Sequence, residues 1–361
     1  MALVRSVLII GGGVIGCASA LELAQAGCQV TLIDRGLIGG EASWAGAGLL
    51  SALLPWDYRE EVVRLMNQSR ALYPDWIAGL KHSGVDPEYR ASGLLVLPPY
   101  DLSQALNWAR DSHEAVEILP ASRIEPSLES EEAALWMPQV AQVRNPRLLR
   151  ALHQALVQHG VVVHESTALT AWMSDGSRIS GALTALGTLE ADCYVMTSGA
   201  WSCETLGRLQ AAETPLPIRP MRGQIVLYKT KPGRLQHMLY RDGFYLIPRD
   251  DGHILAGSTL EDVGFDKQVT ADARQSLMQS ASNLLPWLQA EPVVGHWAGL
   301  RPGAPDNRPI ISRHPKHENL YINSGHYRYG VTLAPASAQA LGDLILERNS
   351  AFRLQDFAWP S

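Results

Sequence analysis

The chain has 361 residues, of which 46% are hydrophobic and 18% are charged, as in an ordinary globular protein of about two domains. Its formal net charge of −6 argues against nucleic acid or an anionic membrane surface as a partner. No run of about 18 apolar residues occurs, so we do not expect a membrane-spanning helix.

The first elements predict a nucleotide-binding unit. Residues 7–10 indicate a strand, residues 17–26 a helix, and residues 29–33 a second strand that ends at Asp34. The segment GGGVIG connects the first strand to the helix. Asp34 follows the first glycine of this segment by roughly the 20 residues expected of an acid that binds a ribose hydroxyl.

Three glycines of this segment have separate expected uses. Gly11 permits the tight turn, Gly13 lets the backbone approach a pyrophosphate, and Gly16 lets the helix pack on the strand. The helix N-terminus adds N–H donors and a positive dipole end for phosphates. A glycine-rich turn without a ligand is the alternative interpretation. At this point NAD and FAD fit equally well.

A glycine-rich segment, residues 36–52, follows Asp34. Because glycine allows close backbone approach, we interpret the segment as a loop pressed against a ligand, with a flexible linker as the alternative. Residues 59–80 then show helical periodicity.

The remaining elements predict two interleaved domains. Further helices are expected at 101–117, 147–159 and about 335–347, and further strands at 93–97, 161–164, 193–197, 224–228, 244–247, 253–256 and 320–323. We predict an α/β fold, α+β overall, with a Rossmann-like nucleotide domain and a second domain built on a mostly antiparallel sheet. The predicted boundaries are 1–85, 143–216 and 296–361 for the nucleotide domain, and 86–142 and 217–295 for the substrate domain.

Cysteine and histidine usage argues against metal chemistry. The four cysteines form no CxxC pair, and the eleven histidines show no ligand spacing, so no metal site is expected. Three glycines interrupt the N-terminal apolar stretch after only four residues, unlike the core of a signal peptide. A reducing compartment, the cytoplasm, is therefore expected.

Five segments, taken in order, resemble one family. They are GGGVIG (11–16), TSGAWS (197–202), the PMRGQ turn (220–224), GLRPGAPDNRPIIS (299–312) and GHYRYGVTLAP (325–335). Across nearly the whole chain they resemble the FAD-dependent amine and D-amino acid oxidases, most closely the bacterial glycine oxidases of thiamine biosynthesis. The last two segments separate this family from NAD dehydrogenases, which share only the first.

The resemblance implies an extended FAD. Because the chain has no cysteine after Cys203, where some related sarcosine oxidases carry a covalent attachment, it also implies non-covalent binding. The N-terminus of the helix near Val331 would offer N–H donors to the charge of reduced flavin. For His326, backbone packing is an open alternative to cofactor contact. The residues placed at the cofactor are Gly11, Gly13, Val14, Ile15, Gly16, Asp34, Arg35, Ala42, Ser43, Gly46, Gly48, Leu49, Ala168, Gly199, Trp201, Gly325, His326, Tyr327, Arg328, Tyr329, Gly330, Val331 and Thr332.

The resemblance also implies a site for a small amino acid. Arg301 would bind the substrate carboxylate through its fork, Tyr245 would share that carboxylate, and Arg328 would be a second cation near the flavin. Leu49 and Leu260 would wall the substrate side. A sheet aromatic is the alternative for Tyr245, and core packing is the alternative for both leucines.

The implied reaction is hydride transfer from Cα to flavin N5, which gives an imine and then a 2-oxoacid and ammonia, while O₂ becomes H₂O₂. No side chain is expected to act as acid or base, because orientation and electrostatics are the protein's part. The alternatives are a sarcosine or D-amino acid oxidase, a dehydrogenase that uses another electron acceptor, and a non-catalytic flavoprotein. Retention of Arg301 and Tyr245 speaks against the last of these. Relatives are often tetramers, so a homo-oligomer is expected.

Overall fold

The structure is a computed structural model that describes residues 5–51, 54–112, 115–128, 130–209 and 216–359. Its strands are β1 Ser6–Ile10, β2 Gln29–Ile33, β3 Leu49–Leu50, β4 Leu94–Val96, β5 Glu117–Pro120, β6 Ala133–Met137, β7 Ala141–Gln142, β8 Val162–His164, β9 Ala171–Asp175, β10 Arg178–Thr184, β11 Gly187–Leu189, β12 Cys193–Met196, β13 Arg219–Lys229, β14 Met238–Arg241, β15 Phe244–Pro248, β16 His253–Gly257, β17 Val293–Gly303, β18 Ile310–Arg313 and β19 Leu320–Ser324. Its α-helices are α1 Val14–Gln25, α2 Ala42–Ala45, α3 Glu60–Lys81, α4 Leu102–Ser112, α5 Ala121–Ile124, α6 Asn145–Gln158, α7 Ser202–Leu206, α8 Ala271–Leu284 and α9 Gly330–Ile345.

The first sheet has six strands in the order β18-β19-β12-β1-β2-β8. All neighbours run parallel except β18, which is antiparallel to β19. Val7 and Ile9 of β1 pack in one core cluster with α1 and α9, whereas Leu8 and Ile10 pack in a second cluster that includes Trp172 of β9. Both faces of the strand are therefore covered, which explains its unbroken apolar run. The carboxyl ends of β1, β2 and β12 meet at one edge of this sheet.

The second sheet has eight strands in the order β17-β13-β16-β15-β14-β4-β6-β5. Its neighbours are antiparallel except for β14 and β4. The predicted fold class, with a mostly antiparallel second sheet, is confirmed. The prediction of a turn at residues 220–224 is wrong, because this segment lies inside β13 and pairs along its length with β17.

Helices α1 and α9 begin at least three residues earlier than the sequence predicts. The amide of Cys17 already donates to the carbonyl of Gly13, so α1 begins at Val14. Helix α9 begins at Gly330 and contains Pro335, which the prediction placed at its start. Proline has no N–H for the carbonyl of Val331, and the hydroxyl of Tyr73 on α3 donates to that carbonyl instead. A partner from another helix thus lets α9 continue through the proline.

Other differences concern the middle of the chain. The helix predicted at 101–117 is wrong at its end, because Glu117 begins β5; residues 113–114 of that prediction lie outside the described residues. Strand β17 belongs to the second sheet along its whole length, although the predicted domain boundary falls at 296. The domain boundaries stay a prediction. Within the described ranges, no helix is both long and apolar enough to cross a membrane.

Candidate functional site

A cavity of about 650 Å³ is lined by residues of both large sheets. Its size is within the range typical of ligand and cofactor sites. Every residue that the sequence predicted for the substrate lines this cavity. The lining residues predicted for the cofactor are Gly11, Gly13, Val14, Ile15, Asp34, Arg35, Ala42, Ser43, Gly46, Gly48, Leu49, Ala168, Gly199, Trp201, His326, Tyr327, Arg328, Tyr329, Gly330 and Val331.

Three predicted cofactor residues, Gly16, Gly325 and Thr332, are not among the lining residues. A Cβ on Gly16 would overlap the carbonyl oxygen of Gly11, so this glycine serves the packing of α1 on the turn. The hydroxyl of Thr332 donates to the carbonyl of Leu49 at 3.1 Å. Gly325 has a φ of +83°, which favours glycine, and lies close to Ala304.

The glycine turn after β1 is shaped by backbone contacts. Gly11 has a φ of +117°, and a Cβ there would lie 2.6 Å from the carbonyl oxygen of Thr197. The amide of Val14, at the start of α1, donates to Oγ of Ser43 at 2.9 Å. This turn therefore accepts no side chain at Gly11, and the N-terminus of α1 lies at the cavity wall.

Asp34 closes the same turn from the end of β2. Its two carboxylate oxygens accept hydrogen bonds from the amides of Gly12 and Gly36, each at 2.7 Å. Burial raises the pKa of Asp34 despite these bonds, which favour the charged form. The carboxylate is held at the cavity wall with lone pairs left for a further donor.

Aromatic stacking beside the cavity was not predicted. The guanidinium carbon of Arg35 lies 3.6 Å from the ring centroid of Trp201, and Phe265 stacks on Trp201 at 5.5 Å. Nζ of Lys267 donates to both carboxylate oxygens of Glu41, at 2.9 and 3.0 Å. These contacts connect the segment after β16 to the segment after β2.

The glycine loop, which we define as residues 46–49, is pressed against protein backbone. Gly48 has a φ of +78°, and a Cβ there would overlap the carbonyl oxygen of Val143. The carbonyl of Gly48 accepts a hydrogen bond from the amide of Val143 at 2.8 Å. Close approach, the feature predicted from the glycine content, is therefore present at Val143, while Gly46, Gly48 and Leu49 also line the cavity.

Arg301 lies on β17, where it pairs with Met221 of β13, and its guanidinium reaches Gly223 two residues further along β13. A Cβ on Gly223 would lie less than 3.0 Å from three guanidinium atoms of Arg301, so the guanidinium lies across this glycine. It donates to Oγ of Ser258 at 2.7 Å and to the carbonyl of Thr259 at 3.3 Å. Among the described residues no acidic side chain forms an ion pair with Arg301.

Tyr245 of β15 lies close to the residues that Arg301 contacts. It is 8% exposed and pairs with Gly257 of β16, where a Cβ would lie 3.0 Å from the tyrosine hydroxyl. Gly257 directly precedes Ser258, the hydrogen-bond partner of Arg301. The structure thus brings Arg301 and Tyr245 together at residues 257–259; because both are predicted to bind a substrate carboxylate, we refer to this pair as the carboxylate clamp.

A buried network supports the clamp. Arg222 donates to Glu261 at 2.6 Å and to Asp266 at 2.7 Å, and its side chain is 5% exposed. The hydroxyl of Thr259 accepts from the amide of Gln224 at 2.9 Å and donates to Glu261. Although burial alone would raise it, hydrogen bonds from Arg222 and its neighbours lower the pKa of Glu261. The sequence did not predict this network, because no local motif marks its residues.

Arg328 and Tyr329 directly precede α9. Arg328 is exposed, with its guanidinium carbon 5.5 Å from the Tyr327 ring, and Tyr329 is buried with its hydroxyl donating to Tyr58. Leu260 is 46% exposed at the cavity, so core packing is the wrong alternative for it.

His326 is buried, and its Nε2 lies 3.0 Å from Oγ of Ser337. Burial lowers the pKa of His326 to about 3, so the ring is neutral at physiological pH.

Comparisons with known proteins place the chain in a family. The family model described as "DAO: FAD dependent oxidoreductase" matches residues 6–344. The glycine oxidase of Pseudomonas aeruginosa is 44% identical over 348 residues, which cover 95% of each chain. The crystal structure of glycine oxidase from Geobacillus kaustophilus superposes with a TM-score of 0.91 and 31% identity over 98% of each chain. The bifunctional protein ThiO/ThiG of Trichormus variabilis is 33% identical over 98% of this chain and 54% of its own length.

These matches confirm the predicted resemblance, and they confirm FAD as the cofactor of an enzyme. The glycine turn, the N-terminus of α1 and Asp34 are the parts of the cavity that could hold its adenosine and pyrophosphate. The chain belongs to the DAO family of FAD dependent oxidoreductases.

Proposed function

We propose that this enzyme oxidises glycine, with sarcosine and small D-amino acids as related substrates. The products are the 2-oxoacid, glyoxylate in the case of glycine, with hydrogen peroxide and with ammonia, or methylamine in the case of sarcosine. The observation that carries this proposal is the carboxylate clamp, a cation that has no acidic partner among the described residues and lies beside a buried tyrosine in the cavity.

The clamp suits an α-carboxylate. Arginine has five N–H donors, and Arg301 uses two of them for neutral oxygens of Ser258 and Thr259. The other three, and the hydroxyl of Tyr245, make no hydrogen bond with residues in the described ranges. A fork of this kind binds both oxygens of a carboxylate, and low local dielectric strengthens the interaction.

When bound, FAD supplies the two-electron oxidant for the substrate C–N bond. The overall reaction consumes glycine, water and O₂ and yields glyoxylate, ammonia and H₂O₂. The protein's residues orient the substrate. The clamp fixes the carboxylate, and this limits the directions in which a Cα–H bond can point within the cavity. His326 has no acid or base role in this proposal, because it is neutral and hydrogen-bonded to Ser337.

Side chains around the clamp favour a small substrate. Leu49 and Leu260 both line the cavity with apolar surface. Arg328 also lines it and is a second cation near the clamp in this proposal. A small amino acid fits between such walls, whereas a longer side chain would have to displace them.

The cofactor is bound without a covalent bond in this proposal. The four cysteines are free thiols, and none of them is among the lining residues of the described cavity. Denaturation should therefore release FAD into solution. A flavin that stays with the denatured chain would contradict this part.

One assay tests the proposed activity. The purified protein, saturated with FAD, is mixed under air with glycine, sarcosine and a panel of D-amino acids while peroxide is detected. We expect peroxide with glycine. Glycine-dependent bleaching of the flavin absorbance without peroxide would favour a dehydrogenase with another acceptor. No reaction with any member of the panel would refute the proposal.

A role in thiamine biosynthesis follows from the same resemblance. It is supported by the likeness to glycine oxidases and to the bifunctional proteins ThiO/ThiG. Expression of the chain should restore growth without thiamine in a bacterial strain that lacks its own glycine oxidase. We also propose a homo-oligomer, tetrameric as in relatives, which light scattering of the purified protein tests.

A further inference from the structure

Arg249 is a buried arginine at the end of β15. It is 6% exposed and donates to three neutral oxygens: Oε1 of Gln142 at 2.6 Å, the carbonyl of Val143 at 2.9 Å and the carbonyl of Ala47 at 2.7 Å. Ala47 belongs to the glycine loop. We infer that Arg249 is a positioning residue that fixes the glycine loop against the cofactor, and thereby sets both FAD affinity and the rate of substrate oxidation.

The charge of Arg249 is not balanced locally. In the described ranges no acidic side chain forms an ion pair with it, although Glu88 and Asp251 ion-pair with the neighbouring Arg144. Burial, and then the nearby Arg144, lower the pKa of Arg249 to about 9. A buried cation without a carboxylate is unfavourable for folding, so its presence here points to a role that a neutral side chain would fill less well.

That role is to bind backbone carbonyl oxygens. The carbonyls of Ala47 and Val143 belong to two segments that meet at one point, where the amide of Val143 also donates to Gly48. Arg249 bridges the two carbonyls from the other side. Charge-assisted hydrogen bonds are stronger than neutral ones, so the bridge holds the glycine loop more firmly than backbone pairing alone.

Arg249 also connects the glycine loop to the clamp. Side chains two residues apart share a face of a strand, and the amide of Arg249 still bonds to the carbonyl of His253 in the hairpin. Arg249 therefore follows Tyr245 and Ile247 on one face of β15. One strand thus holds the tyrosine of the clamp at one end and the glycine loop at the other, which fixes their separation.

This inference rests on the proposed function, in which the clamp holds glycine, and on the prediction that Gly46, Gly48 and Leu49 of the glycine loop contact FAD. The test uses the FAD-saturated enzyme and the variant Arg249→Met. Its matched control is Arg234→Met, which removes a guanidinium that ion-pairs with Glu291 and stacks on Trp287, away from the cavity lining.

We expect Arg249→Met to weaken FAD binding by about tenfold or more, as measured by quenching of flavin fluorescence. The flavin absorption bands should shift, and kcat should fall. The KM for glycine should stay within about twofold, because the clamp residues are intact. Arg249→Lys keeps the charge and part of the hydrogen bonding, so its FAD affinity should lie between those of the wild type and Arg249→Met.

Wild-type FAD affinity, absorption bands and kcat in Arg249→Met would overturn the inference, even if its melting temperature were lower. If Arg249→Met does not fold, Arg249→Lys decides: weaker FAD binding supports the inference, and wild-type binding overturns it. Equal losses in Arg234→Met would also overturn it. Failure of the proposed function is distinguishable, because the wild-type enzyme would then not bind FAD or not oxidise glycine.

Discussion

Gly223→Ala moves the key cation of the clamp without removing it. A methyl group at this position of β13 would lie less than 3.0 Å from three guanidinium atoms of Arg301. Because the guanidinium is the end of a flexible side chain, it can swing away while the strand pairing persists. The donors to Ser258 and to the substrate would then point elsewhere.

The expected loss follows from the hydrogen bonds concerned. A hydrogen bond to a charged group contributes about 1.5–3 kcal/mol, so loss of the fork corresponds to about a 10- to 150-fold lower kcat/KM for glycine. FAD affinity should be unchanged, since Gly223 and Arg301 are on the second sheet and the glycine turn is on the first.

Steady-state peroxide assays over a range of glycine concentrations measure this effect, with flavin fluorescence as the readout of FAD binding. Gly79→Ala is the control, because it adds a methyl group on helix α3 with no atom within 4 Å. A wild-type kcat/KM in Gly223→Ala, with the protein folded and FAD bound, would refute the placement of the substrate carboxylate at Arg301.

Three further predictions concern single side chains. Arg301→Lys should raise the KM for glycine by about tenfold or more with FAD still bound, because lysine lacks the fork; unchanged kinetics would remove Arg301 from the clamp. Tyr73→Phe should lower the free energy of unfolding by about 1 kcal/mol in urea titrations, because the carbonyl of Val331 loses its donor; equal stability would contradict this account of Pro335. His326 has a folded-state pKa of about 3, below its unfolded value, so the unfolded chain binds the extra proton and stability falls as pH drops below about 6.5. Between pH 7 and pH 5 the wild type should lose about 2 kcal/mol more than His326→Gln, and equal losses would show that His326 is not buried neutral.

The nucleotide unit could be predicted because its signals are local. A strand, a glycine turn, a helix and Asp34 follow one another within about 30 residues. The requirement at Gly11 arises from contact with Thr197, yet the turn itself is visible without that contact. Strand patterns after residue 217 likewise indicated the antiparallel sheet.

The clamp and its support could not be derived from local pattern. Arg301 and Tyr245 meet because β17 pairs with β13 and β15 pairs with β16, and such long-range register is not written in either segment alone. Only the family resemblance placed the two residues together. No sequence pattern pointed to a role for Arg249, because its partners are backbone carbonyls and a side-chain amide that are distant in sequence.

Two differences from the predicted elements fall at proline and glycine. The helix predicted from about residue 335 begins at Gly330 and continues through Pro335, where the hydroxyl of Tyr73 donates to the carbonyl that proline leaves without a donor. Residues 220–224, predicted as a turn, lie inside β13. In the fold, Gly223 provides the space in β13 that Arg301 occupies.

The most direct test of the central claim is anaerobic titration of the FAD-saturated protein with glycine, followed by admission of O₂. We expect glycine to bleach the flavin absorbance, O₂ to restore it with one H₂O₂ per flavin, and Arg301→Lys to require a much higher glycine concentration. A flavin that stays oxidised at saturating glycine, sarcosine and D-alanine would contradict this claim.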